Sequence, residues 1–360
     1  MKLTPTWTSP HWNRKSLLAI SHKWLYELTQ HQIAERERAL RHLIATHKGP
    51  LQCTPADFPL PTLHTVLQHA LVECEHGCGL FLIRGIPVAN KPLPLARLLA
   101  WGIGLHRGVP LIQNETEALL VEVRNKDNLS PQNIRGHNTS SEMEFHVDAC
   151  DLVTLLCLSK AAEGGRSKVV SSLTIHHHLS TQYPLECRAL SLPLPFIDVS
   201  KTEIGEPGFF MCPVFTRMPD AFSCRFYRKR ILATQELSHT PKINPLTLKA
   251  LDHFQRIAGD ADLNVEMDLQ PGDLQCLNNH VVCHARAAFR DGSKPSQQRH
   301  LLRQWLATAV SRPLPKSHAY AYAYGSIKAG SLRGGYQGWA ISPDIKTFQE
   351  RLAHYNQITV

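Results

Sequence analysis

The stretch Glu144–Ser172, EFHVDACDLVTLLCLSKAAEGGRSKVVSS, decides how the rest of the chain is read. It carries His146 and Asp148 two residues apart, then an apolar run, then a Gly-Gly-Arg-Ser turn. Successive side chains of an extended backbone point to opposite faces, so positions i and i+2 project the same way. On a strand, His146 and Asp148 present an imidazole nitrogen and a carboxylate oxygen to one point. These are two of the three donors in the two-His, one-carboxylate set that holds non-haem Fe(II) and leaves coordination positions open. Leu152–Leu158 is apolar at nearly every position, the pattern of a strand covered on both faces.

A lone H-x-D means little in a chain with 21 histidines. The third donor must come from elsewhere, and Gly272–Arg286, GDLQCLNNHVVCHAR, offers His280 and His284, followed by Arg299-His300-Leu301-Leu302-Arg303. In order, spacing and flanking residues these segments resemble the taurine dioxygenase (TauD/TfdA) family of Fe(II)- and 2-oxoglutarate-dependent oxygenases, from about Gly77 to Ala309. The resemblance implies His284, rather than His280, as the ligand that joins His146 and Asp148. It implies that Ser167 gives a hydroxyl to the co-substrate carboxylate and that Arg299 grips the distal carboxylate of 2-oxoglutarate. Arg303, four residues on, would assist it or hold an anionic substrate. An arginine suits this task because its planar fork makes paired hydrogen bonds to a carboxylate and stays charged at any working pH. Arg286 and Asp291 are expected to pair with each other.

By the same resemblance the fold is α+β, a double-stranded β-helix (jelly-roll) barrel with flanking helices. Residues 1–62 form a helical extension packed on the barrel, 63–312 the dioxygenase domain and 313–360 a C-terminal extension. The implied chemistry needs Fe(II), 2-oxoglutarate and O2, releases succinate and oxidises an unactivated C–H bond, with no catalytic residue beyond the metal ligands. Halogenating relatives lack the carboxylate that Asp148 supplies, so hydroxylation or desaturation is expected. The substrate is expected to be a small amino-acid-like or carboxylated metabolite other than taurine. Glu142, Gln113, Tyr227 and Arg303 are candidate contacts to it, each weighed against an ordinary surface or strand-edge role.

Elsewhere the pattern predicts one or two amphipathic helices between Arg14 and His47, helices at Leu63–Cys74, Leu93–Gly104, Leu173–Tyr183 and Asn244–Ala258, and strands at Gly79–Ile86 and Ala118–Arg124. Phe209–Leu232 reads as one hairpin turning at Pro219-Asp220-Ala221. Asp127–Ser141, rich in Asn, Ser, Gly and Pro, is expected to be a lid over the site. His176, His177 and His178 face directions ~100° apart on a helix and read as surface. The Cys74-Glu75-His76-Cys78 cluster matches no zinc spacing with a second half.

Net charge is +9, which favours anionic partners, yet no nucleic-acid-binding module or stripe of interleaved aromatic and basic residues is present. A demethylase acting on nucleic acid or protein is the alternative of the same chemistry, and a non-catalytic jelly-roll binding protein the alternative of another class. Ten cysteines without a C-x-x-C pair, several inside apolar runs, point to buried thiols in a reducing, cytoplasmic setting. No segment approaches the ~18 apolar residues of a membrane span. Oligomeric state is left open.

Overall fold

The computed structural model describes residues 10–89, 91–126, 138–198, 208–321, 325–336 and 341–360. Most of the expected lid, Asp127–Ser141, lies outside the described residues.

The longest apolar run of the opening stretch becomes β6 (Leu152–Ser159), at the centre of the larger sheet. It is flanked antiparallel by β14 (Leu274–Asn278) and β17 (His300–Ala307). Beyond β14 lies β2 (Leu80–Arg84), and beyond that β1 (Leu25–Glu27), paired in parallel. β3 (Val109–Pro110) and β4 (Val121–Arg124) both pair with β17. The smaller sheet runs β13 (Val265–Met267), β8 (Ser167–Ser171), β15 (Val282–Arg286), β5 (Met143–His146), all antiparallel. Side chains bridge the two sheets: the Ser167 hydroxyl on β8 donates to Gln275 Oε1 on β14 at 3.0 Å. This is the expected double-stranded β-helix. β7 (Glu163–Gly164) pairs with β16 (Phe289–Arg290) at its rim.

Helices seal the outer faces, which is why β14 and β15 are buried at every residue. α3 (Gln30–Ala45) starts at a Thr29–Gln32 capping box. The buried Glu35 carboxylate on α3 in turn accepts the amide N–H groups of Thr62 and Leu63, satisfying donors at the start of α4 (Leu63–His76). α5 (Leu93–Leu105) lies so close to β17 that a Cβ at Gly104 would meet the Gln304 amide at 2.4 Å. α6 (Ser172–Gln182) and α7 (Pro184–Leu190) pack with α9 (Pro245–Ala258), which begins at the expected Asn244 cap. α10 (Pro343–Tyr355) stacks Phe348 on Trp101 of α5.

Three expectations are corrected. The segment Arg14–His47 is not all helix: α1 (Arg14–Ala19) and α2 (Ser21–Trp24) are short, and the chain then enters the larger sheet as β1 before α3. Phe209–Leu232 is not one hairpin: β10 (Phe209–Cys212) pairs back with β9 (Leu194–Ile197), and only β11 (Phe215–Arg217) and β12 (Phe222–Cys224) turn at 218–221. Arg228–Leu232 is a helical turn, α8. His176 is no surface group, since its ring packs edge-on against Phe215 and Phe222.

Candidate active site

The smaller sheet delivers two imidazoles. His146 ends β5 and lies opposite His284 in the β5–β15 register, with ring centroids 4.3 Å apart. Asp148 does not share the strand, contrary to the i, i+2 argument, because β5 stops at His146. The chain is redirected instead: the Val147 amide donates to the Phe226 carbonyl at 2.9 Å and the Asp148 amide to Asn279 Oδ1 at 2.9 Å. Asn279 sits in the β14–β15 turn, so the turn that sends the chain back toward His284 also aims Asp148. His146, Asp148 and His284 are all buried, and each offers one donor atom within 4.8 Å of the others. The rival His280 points elsewhere, its Nε2 2.8 Å from Asp151 Oδ1.

The protonation states suit a metal. Burial, then the neighbouring His146, pushes His284 down to about 3, and burial likewise lowers His146, so both imidazoles are neutral and have a lone pair to offer. Burial acts to raise the Asp148 carboxyl, but Arg303, the two histidines and Trp305 outweigh it and hold the group at about 2. Nδ1 of His146 lies 2.9 Å from its neighbour Glu144's carbonyl, which orients the ring and leaves Nε2 facing Asp148 Oδ1 at 3.9 Å.

The larger sheet supplies the surroundings from β17. Trp305 donates its indole N–H to Asp148 Oδ2 at 2.9 Å, and Arg303 Nη1 lies 3.5 Å from the same oxygen. Gln113 was a candidate substrate contact, but its carboxamide is engaged with Arg303: Oε1 accepts Arg303 Nε at 2.8 Å and Nε2 donates to the Arg303 carbonyl at 3.1 Å. Arg299 stands at the start of β17 over the Phe289 ring, its Nε donating to the Gly165 carbonyl at 3.3 Å and its Nη1 buried without a hydrogen-bond partner. Burial, then the charge of Arg286, lowers it to about 10, still a cation at neutral pH. An orphaned, buried guanidinium N–H is what a site for an incoming carboxylate leaves open. Asp291 accepts the backbone N–H of Arg299 at 2.7 Å, while Arg286 donates to the Ser141 carbonyl, so the expected Arg286–Asp291 pair is replaced by these contacts.

Of the other candidates, Tyr227 stands beside the centre with its ring 4.9 Å from that of His146. Ser167 is buried, but its hydroxyl is spent on Gln275. Glu142 is exposed where the chain approaches β5. Sequence reasoning missed Trp305, Asn279 and Glu144. The Asn278-Asn279 doublet before His280 was a signal for a side-chain-braced turn; nothing local marked the other two.

Fold and donor set together define a mononuclear non-haem iron oxygenase of the double-stranded β-helix class. The chain belongs to the Taurine catabolism dioxygenase TauD, TfdA family, which it matches over residues 44–305, and is an oxygenase dependent on Fe(II) and 2-oxoglutarate. It is 30% identical over 315 residues to the FR-33289 synthase of Streptomyces rubellomurinus, covering 85% of this chain and 91% of that protein. It is 27% identical over 295 residues to Taurine hydroxylase-like protein SAT17 of Stachybotrys chartarum, covering 77% and 73%. Among solved structures, asparagine oxygenase in complex with Fe(II), 2S,3S-3-hydroxyasparagine and succinate superposes with a TM-score of 0.61 at 18% identity, over 79% of this chain and 93% of that one. The non-heme iron oxygenase OrfP in complex with Fe, succinate and (3S)-hydroxy-L-Arg does so with a TM-score of 0.60 at 14% identity, over 85% and 99%. Among the described residues no helix is long and apolar enough to cross a membrane.

Proposed function

We propose that this chain hydroxylates a small amino-acid-like molecule, with Fe(II) held by His146, Asp148 and His284 and the distal carboxylate of 2-oxoglutarate held by Arg299. The carrying observation is the convergence of these three buried donors, together with a buried guanidinium at the start of β17 that has an unsatisfied N–H. The amino-acid reading is supported by the hydroxylated asparagine and arginine in the two solved structures of the same fold.

Bound together, iron, 2-oxoglutarate and O2 supply the oxidising power to break a C–H bond, with 2-oxoglutarate leaving as succinate and CO2. The chain supplies position and charge. Trp305 and Arg303 occupy Asp148 Oδ2, which leaves Oδ1 as the oxygen for the metal and keeps the carboxylate ionised. Arg299, propped by Gly165 and Phe289, fixes the far end of the co-substrate, and Ser167 joins it on exchanging Gln275 for the carboxylate. Tyr227 walls one side of His146 and is the aromatic group offered to a substrate there.

Anaerobic addition of Fe(II) and then 2-oxoglutarate to the purified protein should produce a weak visible charge-transfer band. Asp148→Ala and His284→Ala should each abolish it, and Arg299→Ala should raise the 2-oxoglutarate needed to half-saturate it. A band that survives the first two substitutions would refute the ligand assignment. Succinate release stimulated by amino acids, and not by sulfonates lacking an amino group, tests the substrate class.

A further inference from the structure

Glu144 lies two residues before His146 on β5, at an irregularity in the β5–β15 pairing, and its backbone carbonyl lies 2.9 Å from His146 Nδ1. Oε2 is sealed from solvent yet accepts no hydrogen bond. Native structures rarely leave a buried carboxylate oxygen in this state, because the oxygen has lost its water and gained nothing in return. The candidates that might have satisfied it are engaged elsewhere. Arg303 is bound to Asp148 and Gln113, and Arg230 lies over the Tyr227 ring, 5.7 Å from its centroid. Neither forms an ion pair with Glu144, although the Tyr227 phenol, raised chiefly by burial, also feels the Glu144 charge. Glu144 is thus anchored next to His146, whose ring touches that of Tyr227, in a chain whose overall excess is basic.

From this placement we infer that Glu144 is the subsite for a cationic group of the substrate, an ammonium or guanidinium, and so determines which molecules are accepted at the iron. The inference rests on the reading of this site as an oxygenase centre, and it replaces the exposed Glu142 as the acidic contact. A cation arriving there supplies both a charge and N–H donors to an oxygen that has neither, the strongest kind of hydrogen bond available to a carboxylate. Acids of the same size without a cationic group meet an uncompensated negative charge and are rejected. In an amino-acid substrate Glu144 would then hold the positive group.

The test uses the Fe(II)–2-oxoglutarate complex of the full chain under anaerobic conditions, reading the perturbation of its visible band by added probes. The probes are L-arginine, L-lysine and L-asparagine, agmatine as a cation without a carboxylate, and 2-hydroxy acids as carboxylates without a cation. At least one cation-bearing probe should perturb the band in the unsubstituted protein. Glu144→Gln, which keeps size and the backbone carbonyl that orients His146, should weaken that probe at least tenfold, with Glu144→Asp recovering part of the loss. An unchanged midpoint for 2-oxoglutarate itself in E144Q shows that the iron centre is intact. Equal binding of the probe to both proteins overturns the inference, as does a panel in which no cation-bearing member perturbs the band. In either case the band itself leaves the iron and 2-oxoglutarate assignments standing. Perturbation by agmatine alone supports the Glu144 subsite while refuting the amino-acid reading.

Discussion

The two oxygens of Asp148 have different surroundings, and the difference is chemical. Oδ2 takes the Trp305 indole N–H at 2.9 Å and lies 3.5 Å from Arg303, whose guanidinium is itself stacked 5.0 Å from the Trp305 ring centroid. Groups that orient a metal ligand from behind are worth about 10–100-fold in metal affinity. Trp305→Phe keeps an aromatic side chain and removes the indole N–H donor, so Fe(II) should bind about tenfold more weakly, as measured by competition with a chromophoric chelator. The smaller ring leaves a cavity at this buried position, so stability should fall while the fold is retained. An unchanged iron affinity would mean that Arg303 alone sets the carboxylate.

At the scale of elements, the Gly164-Gly165 turn between β6 and β8 shapes the place where Arg299 lies. Gly165 has φ +72° and a Cβ there would meet Arg299 Cδ at 2.9 Å. Gly165→Ala should therefore cost roughly 1–2 kcal/mol of stability from the left-handed backbone. By displacing Arg299 it should also weaken 2-oxoglutarate by about tenfold, the loss of one charge-assisted hydrogen bond, with iron affinity kept. Titration of the visible band with 2-oxoglutarate and of the apo protein with chelator-buffered Fe(II) separates the two effects. The turn could be read in the sequence because paired glycines are a local signal, whereas His284 was legible only through the resemblance to a family, since it lies far along the chain from His146. Asp148 was read correctly as a member of the cluster but for a partly wrong reason: Asn279, on another element, redirects the chain there rather than a continuing strand. Trp305 and Glu144 stayed hidden because their importance depends on what faces them across the barrel or goes missing beside them, and no spacing rule encodes either. β1 was hidden for a related reason. Three residues paired in parallel with β2 have no stability of their own, and the sequence around them is helical in pattern.

The whole molecule is held behind the site by buried charges that link distant parts of the chain. Asp151, three residues past Asp148, lies 2.7 Å from Arg333 and 2.8 Å from His280, and Arg333 also donates to the Arg312 carbonyl while Arg312 pairs with Glu75. Of the Cys74-Glu75-His76-Cys78 cluster, Glu75 thus serves this network. Such burial makes stability depend on pH in two opposing directions. Burial raises Glu75 to about 7, so its contribution is present below the ordinary carboxylate range and is lost as pH rises toward 7. His106 behaves oppositely: burial lowers it to about 4, with Nε2 2.6 Å from the Phe58 carbonyl. Its unfolded value is 6.5, so the unfolded state takes up the proton first as pH falls, and the contribution present above 6.5 is lost on the way down to about 4. The full difference corresponds to about 3 kcal/mol, of which about 2 kcal/mol falls between pH 7.5 and pH 5. Because Glu75 partly offsets this in the raw curve, the informative quantity is the difference between the unsubstituted protein and His106→Gln, which keeps a donor and cannot titrate. The destabilisation caused by H106Q, from urea midpoints, should shrink by about 2 kcal/mol on going from pH 7.5 to pH 5. A penalty that stays constant across that range would show that His106 is not held neutral in the folded chain.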